Sequence, residues 1–131
     1  MDILRQLFRE EEIKRLVLEN DWLKIISKEQ VRDIIRVLAN EKCNNKVLRN
    51  IIFNYPEVLR KDVDELNELI YILKGYEIIH LEKLFDLYPL FLKKKGYEVD
   101  NFFFIKQKEG LKNIEIKKLL EEKPYLIDVT R

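Results

Sequence analysis

The chain has 131 residues, with 25 Lys and Arg against 24 Asp and Glu, one His, one Cys, three Gly and three Pro. A length near 130 fits one domain, residues 1–131, large enough to bury about two-thirds of the surface its unfolded chain exposes without a disulfide or metal staple. Cys43 and His80 cannot make up a zinc ligand set, Ser27 and Thr130 are the only hydroxyl nucleophiles besides tyrosine, and three scattered glycines write no phosphate-cradling loop, so the expectation is no enzyme, no cofactor, no metal and no small-molecule substrate.

In chain order, apolar residues three and four apart predict helices over 3–8 and 11–20, with Glu10, Glu11 and Glu12 placed for dipole complementarity at the second start. The N-terminus suits neither a secretory h-region nor an acid-poor transit peptide, and no apolar run approaches eighteen residues. The expected location is therefore cytoplasmic, within a cell or a virion, with no membrane partner. After a short turn at 21, Ser27 with Gln30 opens a helix over 28–39. Helices over 45–54 and 63–74 follow, separated by a short turn after Pro56, and Asp62 with Glu65 marks the second of them. Helices over 78–87 and 98–108 flank a short turn after Pro89. Asn113 precedes a last helix over 114–122, and a turn after Pro124 closes the chain. Gly75 and Gly110 sit where left-handed helix caps belong. Strand competes over Phe102 to Ile105 and Tyr125 to Val129, but no partner strand exists elsewhere in the pattern. The chain reads as all-α.

The prolines are the ruler of this pattern. Pro56, Pro89 and Pro124 each have apolar residues at minus eight, minus five, minus four, plus two and plus three. Around Pro56 these are Leu48, Ile51, Ile52, Val58 and Leu59. A further copy centres on Asp21, with Ile13, Leu16, Val17 and Leu23 in register and Lys24 as its one departure. A second stripe at plus ten, thirteen and fourteen holds Val31, Ile34, Ile35, then Leu66, Leu69, Ile70, then Val99, Phe102, Phe103. A unit of about 34 residues with two helices cannot bury its own apolar face, so neighbours must stack as a curved solenoid. Tetratricopeptide repeats share the period but need small residues at helix crossings, and this chain has one alanine, Ala39.

The run from Gly110 to Ile127, with Leu111, Ile114, Glu115, Ile116, Leu119, Leu120, Pro124 and Leu126 in place, is similar to the repeat of the mitochondrial transcription termination factor (MTERF) family, and the copy around Pro89 resembles it too. The resemblance spans residues 44 to 127 and, more weakly, 11 to 40. It implies a short right-handed array of repeats, each with two α-helices and a short 3-10 turn, and a nucleic-acid-binding activity.

Charge adds detail. Residues 1–40 balance at eight basic and eight acidic, 41–92 hold seven against nine, and 93–131 hold ten against seven. If stacking brings Lys93, Lys94, Lys95, Lys112, Lys117 and Lys118 onto one face, they form a phosphate-contacting patch, with Tyr97 available for base stacking. The competing reading is a solvated face. Balanced charge and the leftover aromatics Trp22, Tyr97 and Phe104 motivate the alternative of a protein-interaction adaptor, as in viral or host-interaction proteins. His80 reads as a surface residue and Cys43 as a small loop residue. One alanine against sixteen Ile and twenty Leu, with 37% charged residues, points to AT-rich coding or a thermophilic source.

Overall fold

The computed structural model describes residues 2 to 129, and among them every regular element is helical. Thr130 lies outside the described residues. The order is α1 (Asp2–Leu7), α2 (Glu10–Glu19), the 3-10 turn η1 (Asp21–Lys24), α3 (Lys28–Asn40), α4 (Asn45–Asn54), η2 (Pro56–Arg60), α5 (Val63–Gly75), α6 (Leu81–Leu87), η3 (Pro89–Lys93), α7 (Gly96–Lys108), α8 (Asn113–Glu122) and α9 (Leu126–Val129). Of the segments for which strand competed, Phe102 to Ile105 lies within α7, and Leu126 to Val129 forms α9 with Tyr125 in the turn before it. No described helix is long and apolar enough to cross a membrane.

One junction recurs four times. The residue before each ruler position, Asn20, Tyr55, Tyr88 and Lys123, has φ between −146 and −135 and ψ between 68 and 81. Its N–H closes the preceding helix on the carbonyl four residues back, Leu16, Ile51, Leu84 and Leu119 respectively. Its own carbonyl accepts the N–H three residues on, at 3.0, 3.1, 2.9 and 3.0 Å. Proline disfavours helix in the residue before it and is preorganised for the first turn of the next. The junction before Asp21 has the same geometry without the ring and with Leu23 as its one buried apolar residue, so proline is not required for the turn. Leu23, Val58, Leu59, Phe91, Leu92 and Ile127 are all buried beneath their turns. The fourth turn departs from the expected 3-10 form: α9 is a single α-helical turn.

The helix ends on the other side of the unit also match. The N–H of Cys43, Ile78 and Leu111 reaches back to the carbonyl of Leu38, Leu73 and Lys106, which is the Schellman closure. The left-handed residue within each is Lys42 (φ 70), Glu77 (φ 65) and Gly110 (φ 99). Gly110 thus caps as the sequence suggests. Gly75 does not: it is the last residue of α5, and Glu77 takes the left-handed position. For the same reason α6 begins at Leu81 and not at 78, because the Ile78 N–H is committed to closing α5. Cys43 is buried, and its place is equivalent to Ile78 and Leu111, the apolar residue that seals a Schellman end. Burial, with the carboxylates of Glu82 and Glu41 nearby, pushes its thiol up to about 12.

Three helix starts follow the capping rules. Ser27 Oγ accepts the Gln30 N–H at 3.0 Å, Asn44 Oδ1 accepts that of Val47 at 3.0 Å, and Asp62 Oδ1 that of Glu65 at 3.1 Å. The last long helix starts one residue before expectation, with Asn113 inside it and the Lys112 N–H bonded to the Glu115 carboxylate. Helix α3 packs on α5 and α5 on α7, while α4 packs on α6. Gly96, at the start of α7, lies against Glu68 and Ile72 of α5, and Tyr76, just past the end of α5, lies against Asp100 and Phe103. Rising numbers on one helix meet rising numbers on the other, so α5 and α7 run in the same direction. The core is one cluster of aliphatic and phenylalanine side chains with no buried charged group among the described residues.

Candidate binding groove

The six candidate phosphate contacts fall on either side of α7 in the chain. Lys93, Lys94 and Lys95 precede α7, and Lys112 follows it. At 1.5 Å per residue the 13-residue helix between Lys95 and Lys112 is about 20 Å long. Two of the first three are also already engaged. Lys94 is largely buried and its ammonium pairs with Asp128 and, at 3.3 Å, with Glu98. Burial alone would lower its pKa, but the carboxylates of Asp128 and Glu98 outweigh that and hold it above the ordinary value. Lys95 pairs with Glu65 at 3.4 Å. Lys93, Tyr97, Lys112 and Lys118 are exposed, and Lys117 is half-buried beside Gly75, Glu77 and Ile114.

The remaining residues singled out in the sequence have plain positions. His80 is exposed at the start of α6. Trp22 is half-buried on the core, with the Arg60 guanidinium carbon 4.4 Å from its ring centroid. Phe104 is exposed on α7, with the Lys108 ammonium 4.7 Å from its ring.

A concave surface lies instead between the C-terminal halves of α5 and α7. One part of it, of about 560 Å³, runs along Tyr71, Gly75, Tyr76 and Asp100. The next, of about 470 Å³, shares Tyr76 and Asp100 and ends at Phe104 and Gln107. Tyr71 (79% exposed) lines the first part and Phe104 (55% exposed) the second. They are 15 residues past Pro56 and Pro89, hence equivalent positions on adjacent helices. Gly75 widens the channel, since a Cβ there would meet nothing within 4 Å.

The floor is rigid. The Tyr76 ring stacks on Phe103 at 3.7 Å with an interplanar angle of 11°, and its hydroxyl donates to Asp100 at 2.6 Å. Burial and the Asp100 carboxylate together push the Tyr76 hydroxyl up to about 12, so it remains a protonated donor at neutral pH. Lys74, on the rim, is tied to Glu41 at 2.8 Å. Asp100 has no ion-pair partner among the described residues. Sequence reasoning passed over this surface because Tyr71, Tyr76 and Asp100 form no local motif. The available signal was Tyr71 and Phe104 recurring at one register of the repeat.

No group of three His, Cys, Asp or Glu able to hold a metal occurs among the described residues. The surface presents exposed aromatic side chains beside the hydrogen-bonded Tyr76–Asp100 pair. No family model matches the chain, and searches of curated proteins and solved structures gave no significant match.

Proposed function

We propose that the chain is a non-enzymatic binding module, a short right-handed array of MTERF-like helical units stacked as a curved solenoid, that docks a protein partner along the α5–α7 groove. The array is supported by the junction geometry and Schellman ends that recur every 33 to 35 residues, and by the pairing of α3 with α5 with α7. The groove carries the functional reading. Its exposed aromatics and uncompensated acid suit a polypeptide, whereas a phosphodiester wants a positive channel. The test is capture from the native host with the wild-type chain and with a Tyr71→Ala, Phe104→Ala double variant. A partner retained by the first and lost from the second supports the reading, and equal capture by both refutes it.

A second reading, nucleic-acid binding through backbone contacts, is favoured by Lys112 and Lys118, which are exposed and form no ion pair among the described residues. Affinity for single- and double-stranded oligonucleotides across a salt series tests it. Absence of binding at about 50 mM salt, or a flat salt slope, rules it out.

A further inference from the structure

We infer that the α5–α7 groove is a receptor for a basic side chain, a guanidinium or ammonium carried on a segment of the partner protein, with Asp100 as its counter-ion and Tyr71 and Phe104 as its aromatic walls. The inference rests on the protein-docking reading above and makes its chemistry specific.

Three observations carry it. First, Asp100 lines both parts of the groove and forms no ion pair among the described residues. Glu41, Glu65, Glu98, Glu109 and Asp128 each hold a lysine of the chain, whereas Asp100 receives only the Tyr76 hydroxyl on one oxygen. Its second oxygen is available, and the lysine closest along the rim, Lys74, is held by Glu41. Second, the carboxylate is preorganised. The Tyr76 ring is clamped by Phe103 and the hydroxyl has no other partner, so Asp100 is oriented before any ligand arrives. Third, the walls have the right electrostatics. Aromatic faces attract cations; the Lys108 ammonium, 4.7 Å from the Phe104 centroid, takes one face of that ring, so a ligand cation uses the exposed Tyr71 ring or the other face of Phe104. A guanidinium is planar and weakly hydrated, so it can stack against such a ring while donating to a carboxylate. An acidic or phosphate-bearing ligand would meet Asp100 directly and be repelled.

The probe is a hexa-arginine peptide, followed by amide chemical shifts of the isotope-labelled protein, with hexa-glutamate and a thymidine oligonucleotide as comparisons. Shifts concentrated at Tyr76, Asp100 and Phe104 are expected for hexa-arginine alone. Affinity should fall at least about threefold in Asp100→Asn, which keeps an acceptor for Tyr76, and similarly in Phe104→Ala. The exposed Phe104 side chain makes that variant safe for the fold. Glu121→Gln, on α8, should leave affinity unchanged. Equal affinity for Asp100→Asn, shifts elsewhere, no binding of hexa-arginine, or tighter binding of the oligonucleotide would each overturn the inference. The two readings separate cleanly. A host partner lost with the Tyr71 and Phe104 double variant but kept by Asp100→Asn removes the cation anchor and leaves the docking face, while a partner kept by both removes the docking face itself.

Discussion

Lys42, Glu77 and Gly110 hold the left-handed conformation, each 21 residues after Asp21, Pro56 and Pro89. For a residue with a Cβ this costs about 1 kcal/mol, and only the third copy avoids it. Glu77→Gly should therefore raise stability by about 1 kcal/mol, and Gly110→Ala should lower it by about the same amount, both read from urea unfolding midpoints. A Glu77→Gly midpoint at or below wild type would show that this end is not left-handed in solution. The amino-acid type was a poor guide here. Gly75 drew attention because glycine commonly caps helices, but the register is set by the apolar residue that seals the end. Cys43, Ile78 and Leu111 each follow the accepting Leu38, Leu73 or Lys106 by five positions.

Between elements, a few polar side chains tie one turn to the next. Gln30, in the first turn of α3, donates from Nε2 to the Leu59 carbonyl at 3.1 Å and to the Lys61 carbonyl at 2.7 Å, both at the end of η2. Lys61 in turn donates to the Lys94 carbonyl at 3.1 Å, at the end of η3. Gln30→Ala strands two carbonyls and should cost about 1.5 kcal/mol, whereas an exposed neighbour such as Glu29→Ala should cost far less. Differential scanning of both variants checks this. The sequence showed Gln30 only as half of a capping box, because its second role joins residues 29 and 31 positions away.

The last turn is pinned by charge. Asp128 on α9 pairs with Lys94 and accepts from the Tyr88 hydroxyl. Burial would raise the Asp128 pKa, but the Lys94 and Tyr88 hydrogen bonds prevail and lower it. A carboxyl depressed in the folded state adds stability that is present above the ordinary carboxylate range and lost as pH falls through the lowered value. The stability gap between wild type and Asp128→Asn should thus be open at pH 7 and closed near pH 2. A gap that stays constant over this range, measured by urea unfolding at each pH, would mean the pair contributes nothing through charge.

Across the whole molecule, helices differ in how many neighbours cover them. Helix α5 lies between α3 and α7, while α9 touches α7 alone among the helices it packs on closely. Native-state hydrogen exchange should therefore show the slowest amides in α5 and faster opening towards α1 and α9. Uniform protection from end to end would argue for a single cooperative core instead. The sequence by itself determined the helices, their order and their buried stripes. Those depend on 3.6-residue periodicity, on prolines and on caps, all of which act within a few residues. Only the tertiary structure decided which charges are spent and which surface is open. Lys94 and Lys95 read as free cations until packing put Glu98, Asp128 and Glu65 beside them, and Tyr71, Asp100 and Phe104 became one surface only when α5 was laid along α7. Coulomb pairing and concavity are properties of distance in space, and residues some thirty positions apart in the chain acquire that distance only on folding.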